Sequence, residues 1–142
     1  MNAAPEAAGQ PSRIEFPIAS EADVLRARRS VRELAQDLGF GTTDLTIIAT
    51  AVSEITRNIV NYATHGHITI EPAHDRGRHG VTVRARDEGP GIDDLDLAMQ
   101  DGYSTGRSLG LGLPGARRLM DEFDIVSTVD GGTTVTMTKW QR

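Results

Sequence analysis

Glu54 and Asn58 stand four positions apart in a stretch with strong helical patterning. Residues at that spacing stack on one helix face. A carboxylate and an amide oxygen so placed suit a hard cation and a proton. Asn58 can ligate Mg²⁺ directly while Glu54 polarises a water or a hydroxyl. Thr50 and Asn61 extend the same polar stripe. A solvated helix face carries pairs of this kind as well, so the pair alone leaves both readings open.

A second cluster is Asp87-Glu88-Gly89-Pro90-Gly91-Ile92. In the preceding strand Val81, Val83 and Ala85 share one parity, and Asp87 continues it, which predicts a carboxylate on the core side of the sheet. A buried carboxylate needs a donor, or its desolvation is costly. The exocyclic amine of adenine is one such donor, and Gly89 and Gly91 would let the backbone lie close to a flat ring. An aspartate capping an ordinary Pro-Gly turn is the plainer alternative.

The run Gly110-Leu-Gly112-Leu-Pro-Gly115 spells G-x-G-x-x-G. A dinucleotide fold would require a buried strand directly before the first glycine, and the preceding residues offer only Tyr103 and Leu109. That reading is rejected. Glycines opening a helix still expose N–H groups at its positive pole, which suits a triphosphate. The polar residues 104–108 would form a lid, with Arg107 a phosphate or partner contact unless it is simply solvated. Thr133 shares the parity of Val135 and Met137 and would face inward near the base end of the pocket, or merely start a strand.

The elements that must hold these groups follow from periodicity. Ile14, Phe16 and Ile18 alternate as a short strand. Ser20 is placed to cap a helix whose apolar face is Val24, Ala27, Val31, Leu34 and Leu38, ended by Gly39. Thr42 or Thr43 would cap a second helix, buried through Leu45, Ile48, Val52, Ile55 and Ile59, running to about Ala63 and closed by Gly66. Strands are expected at 68–71 and 81–87, joined by a hairpin through Asp75, Arg76 and Gly77. A short helix near 94–99 and a third long helix over 113–122, with Leu119, Met120 and Phe123 inward, come next. A final hairpin pairs 125–129 with 133–140 around Asp130-Gly131-Gly132. The sum is an α/β (α+β) two-layer sandwich, a mixed, mostly antiparallel sheet covered by helices on one face.

Bulk properties narrow the class. The chain has 142 residues, enough for one domain with a real core. Residues 1–12 read as a disordered tail, leaving 13–142 as the single folded unit. With no cysteine, disulfides, thiolate zinc sites and thiol nucleophiles are excluded. The net charge of −5, without basic runs, argues against nucleic acid or an anionic membrane as partner. No span or signal layout appears, so a soluble cytoplasmic protein is expected. Neither a Walker A motif nor the eukaryotic kinase signatures are present.

The order of the clusters carries more than any one of them. Glu54-x-x-x-Asn58, Asp87-x-Gly89-x-Gly91, Gly110/Gly112 and Gly132-Thr133 resemble the N, G1, G2 and G3 boxes of the GHKL (Bergerat-fold) ATPase and kinase superfamily. Within it the chain is similar to the RsbT-type serine kinases of the stressosome and partner-switching group, through Leu38-Gly-Phe-Gly41, Ser53-Glu54, Arg57-Asn58-Ile59, Asp101-Gly102 and Lys139-Trp140. Ile59, where the wider superfamily has a small residue, suits this narrower assignment. The resemblance implies ATP and Mg²⁺ as cofactors, with Glu54 the catalytic base, Asn58 the Mg²⁺ ligand and Asp87 the adenine-reading acid. It implies that Gly89 and Gly91 support that acid, Gly110 and Gly112 form the phosphate loop, and Thr133 assists adenine recognition. The implied substrate is a serine on an RsbS-like STAS-domain protein. The other implied partners are an RsbU-like PP2C-type phosphatase and a stressosome assembly. The rival reading is an anti-sigma factor that uses ATP only to switch partner affinity. A histidine-kinase catalytic domain is disfavoured, since no helical segment with a phosphoacceptor histidine precedes the domain.

Overall fold

A computed structural model describes residues 13–63, 65–89, 99, 112–128 and 130–141. In chain order the elements are β1 (Ile14–Ile18), α1 (Glu21–Leu38), α2 (Thr42–Tyr62), β2 (Gly66–Asp75), β3 (Arg78–Asp87), α3 (Gly112–Leu119), β4 (Glu122–Thr128) and β5 (Gly132–Trp140). The strands form one sheet in the order β1-β2-β3-β5-β4. The expected mostly antiparallel sheet is found, and among the described residues every pairing is antiparallel. The expected tail and the short helix near 94–99 fall largely or wholly outside those residues.

The two long helices arise as their spacing predicts. On α1 the buried residues are Val24, Ala27, Val31, Leu34 and Ala35. Ser20 occupies the N-cap position and its carbonyl accepts the N–H groups of Asp23 and Val24. Its hydroxyl is not the cap. Instead the Asp23 carboxylate reaches back to accept from the Ala19 N–H at 2.8 Å. Gly39, at φ 100°, turns left-handed and ends the helix, delivering Phe40 to the core. On α2 the cap is Gly41, not Thr42 or Thr43, which lie in the first turn. This helix is buried over a wide arc because it touches α1, α3 and the sheet. Two hydroxyls fall inside that arc. Ser53 and Thr56 satisfy them by donating to the Ala49 and Val52 carbonyls at 2.9 and 2.7 Å.

The sheet turns one face to these helices. Ile68, Ile70, Val81, Val83, Ala85, Val135 and Met137 are buried there. The outer face presents Arg84 and Arg86 beside the partly buried Thr82, Thr134 and Thr136. At the β2–β3 turn Arg76 and Gly77 both have positive φ, 52° and 81°, the two-residue hairpin geometry whose twist matches that of paired strands. The ladder therefore runs up to the turn, and both strands are longer than the apolar residues alone suggested.

Two element boundaries are also corrected. Gly66 does not close α2, which ends at Tyr62; it begins β2 and lies against Asp87, where a Cβ would strike the Arg86 carbonyl. The third helix stops at Leu119, and Phe123 belongs to β4. Tertiary bonds override helix propensity there. The Asp121 N–H donates to the Thr138 carbonyl at 3.0 Å, and the Asp121 carboxylate accepts the Trp140 N–H at 2.7 Å. Lys139 is only 7 % exposed; its ammonium lies 3.5 Å from Asp121 Oδ1 and 3.4 Å from the Leu119 carbonyl that α3 leaves open. The Trp140 indole donates to Glu122, and Arg78 covers the ring.

These contacts lock α3 to the end of the sheet. Lys139→Met, which keeps the stem and removes the charge, is expected to lower the urea unfolding free energy by about 2 kcal/mol. A change under about 0.5 kcal/mol would show that the pair contributes nothing net.

Candidate functional site

A buried carboxylate, Asp87, stands at the end of the sheet. As its parity predicts, the side chain faces the core side, and the residue is 7 % exposed. The Gly89 N–H donates to Oδ1 at 2.9 Å and the Thr133 N–H to the same oxygen at 3.3 Å. Among the described residues both bonds land on Oδ1. Thr133 is the direct cross-strand partner of Asp87 and is also buried. Its hydroxyl lies 2.8 Å from that of Ser127, the inward residue of β4 in the same register.

Close backbone approach makes this arrangement possible. Gly132 has φ 87°, and a Cβ there would meet the Asp87 carbonyl. At Gly89 a Cβ would come within 2.7 Å of the Ala63 side chain, so the turn after β3 rests on the end of α2. The aspartate and the helix are thereby fixed to one another.

Nine residues back along α2, about 13 Å of helix, stands Glu54. Its side chain is 11 % exposed. Oε1 accepts the Gly112 N–H at 2.9 Å, a bond across 58 positions of sequence. Gly112 opens α3 with φ 66°, and the first N–H groups of a helix lack internal partners, so a carboxylate is a natural acceptor there. Glu54 Oε2 faces the Arg57 guanidinium at 3.9 Å, whose other arm lies 3.4 Å from Glu21 on α1. Asn58 follows Glu54 by one turn and is half-buried.

Of the residues singled out in the sequence, the structure joins Asp87, Gly89 and Thr133 at one end of α2, and Glu54, Asn58 and Gly112 at its middle. Gly91, Arg107, Gly110 and the lid at 104–108 lie outside the described residues. Sequence reasoning missed Ser127, whose signal was the shared parity with Phe123 and Ile125. It gave no role to Arg57, which follows Glu54 at the i+3 spacing that places two charges together on a helix. Glu21 had no sequence signal. Among the described residues no group of three or more His, Asp or Glu side chains could hold a metal ion, and no helix is long and apolar enough to cross a membrane.

A helix-covered antiparallel sheet with a buried acid at one strand end, and a carboxylate held at a glycine-opened helix, defines a nucleotide-binding domain of the histidine kinase-like class. The family described as the histidine kinase-like ATPase domain matches residues 18–139, and the chain belongs to it. The serine/threonine-protein kinase RsbT of Bacillus subtilis (strain 168) is 49 % identical over 125 residues, which is 88 % of this chain and 94 % of that protein. An anti-sigma F factor of Thermoanaerobacter sp. (strain X514) is 33 % identical over 120 residues, 80 % of this chain and 82 % of that protein. The RsbU and RsbW domains of Rv1364c from Mycobacterium tuberculosis superpose with a TM-score of 0.61 at 23 % identity, covering 92 % of this chain and 33 % of that one. At that identity the likeness speaks for the fold alone.

Proposed function

We propose that the chain is an ATP-dependent protein serine kinase of the partner-switching type, acting in the cytoplasm on a STAS-domain antagonist protein. The observation that carries the proposal is the Glu54 carboxylate held at the opening of α3, on the same helix whose end braces the buried Asp87. The 49 % identity to a protein named as a serine/threonine kinase supports it.

Recognition starts at Asp87. Oδ1 is occupied by two backbone N–H groups, so Oδ2 is the oxygen that accepts the exocyclic amine of adenine. Thr133 and Ser127 stand behind it as a hydroxyl pair able to fix a bridging water. The triphosphate then extends along α2 toward α3, where Gly112, and in this reading Gly91, Gly110 and Arg107, serve it. Mg²⁺ retains several waters and needs only one or two protein ligands beside the phosphates, so Asn58 alone fits that role without a carboxylate cage. The ion would neutralise charge on the phosphates.

The Gly112 N–H that now holds Glu54 is a donor a phosphate oxygen would claim. That exchange frees Oε1 to take the proton of the substrate serine. The serine oxygen bonds to the γ-phosphorus, the bond to the β-phosphate oxygen breaks, and ADP leaves with that electron pair. Positioning and charge neutralisation supply most of the catalysis in such transfers.

In the same reading, phosphorylation releases the kinase to activate a PP2C-type phosphatase, within or beside a stressosome. The second reading is an anti-sigma factor, favoured by the 33 % identity to a protein of that name. Labelled ATP with the STAS-domain proteins of the source organism, set beside co-purification with its sigma factors, separates the two. Phosphoserine on a STAS protein is expected, whereas stable sigma capture without transfer would favour the rival.

Two variants test the residue roles. Glu54→Gln should bind ATP with unchanged affinity yet transfer no phosphate; transfer at the original rate would remove its role as base. In Asp87→Asn the two backbone donors demand oxygen at the Oδ1 position, which turns the amide nitrogen toward the adenine amine. Donor then opposes donor, and ATP binding measured by calorimetry should weaken roughly 100-fold. An unchanged dissociation constant would end the adenine assignment.

A further inference from the structure

We propose that Arg57 is a positioning residue for Glu54, and that Glu21 makes helix α1 part of the catalytic apparatus by anchoring Arg57; this rests on the kinase reading above. Three facts point there. Arg57 and Asn58 overlie Glu54 from the next helical turn, at i+3 and i+4, one on each side. The guanidinium spans two helices, with one nitrogen 3.9 Å from Glu54 Oε2 and the other 3.4 Å from Glu21 Oε2. Arg57 and Glu21 are solvent-accessible, at 35 % and 61 % side-chain exposure, and exposed pairs of this kind add little to stability. A cation joining the base to α1 therefore has little to do for folding and much to do for the carboxylate.

The two oxygens of Glu54 have separate duties. Oε1 is held by the Gly112 N–H, the donor that a bound phosphate takes over. Once that bond exchanges, the Arg57 guanidinium is the remaining described group that faces the carboxylate. It keeps Oε2 turned toward α1 and so presents Oε1 to the serine hydroxyl. Without it the freed carboxylate can rotate away or approach the anionic phosphates. Glu21 restrains the guanidinium in turn, so a displacement of α1 by a bound partner would alter the presentation of the base without touching the nucleotide.

The test is a double-mutant cycle read in single-turnover phosphoryl transfer, using MgATP and the STAS-domain protein identified by the screen above. ATP affinity and melting temperature are measured on each variant. Arg57→Met is expected to slow transfer about tenfold, Glu21→Gln a few-fold, and the double variant no more than Arg57→Met alone, as residues acting as a unit require. Arg57→Lys should recover part of the rate, because it restores charge but not the two-armed geometry. ATP affinity and melting temperature should not move. Multiplicative losses in the double variant, or losses that follow ATP affinity or melting temperature, would overturn the proposal. Absence of transfer by the unaltered chain would instead overturn the kinase reading and take this proposal with it.

Discussion

A carboxylate buried at the end of a strand must be given donors, and much of this molecule follows from how Asp87 is given them. Solvating an ion inside a protein with backbone N–H groups requires those groups to come within about 3 Å without side chains intervening. The chain meets this with small residues on three sides. Gly89 turns back on the same strand, Gly132 brings β5 in with its positive φ, and Gly66 lets β2 lie flush against Asp87. The antiparallel order β2-β3-β5 is what sets these glycines around one aspartate. Both backbone donors choose one oxygen, and in the proposed function it is the other that reads the base.

Helix α2 ties that fixed point to Glu54 and Gly112. Its apolar arc is buried against α1, α3 and the sheet, so it has little freedom to slide. Its end carries Ala63 against Gly89, and its middle carries Glu54 against Gly112. In the proposed function these two contacts measure off a purine end and a phosphoryl end on one helix. Helix α3 completes the second end, and its own place is set by Lys139, Asp121 and the Trp140 backbone at the far edge of the sheet. Removing the Lys139 charge therefore tests more than stability, since it loosens the helix that presents Gly112.

Parity and helical spacing made much of this legible in the sequence. The inward direction of Asp87 and Thr133 followed from Val81, Val83, Ala85, Val135 and Met137, and the buried faces of both long helices followed from their apolar spacing. What escaped was nonlocal. The Gly112–Glu54 bond joins residues that no periodicity connects, and the Arg57–Glu21 contact joins two helices through surface charges whose spacing in sequence means nothing. Boundaries failed where tertiary bonds outweighed local preference. Met120-Asp121-Glu122-Phe123 looks helical, yet the Thr138 carbonyl and the Trp140 N–H draw Asp121 into the edge of the sheet. Gly66 looks like a helix terminator, yet its smallness serves the approach to Asp87.

The central claim is that one oxygen of a buried aspartate selects the purine by its exocyclic amine. Competition between MgATP and the magnesium complex of inosine triphosphate, which carries a carbonyl in place of that amine, tests it directly in the unaltered protein. An acceptor facing an acceptor should cost inosine triphosphate roughly a hundredfold in affinity. Equal affinity for the two nucleotides would contradict the account.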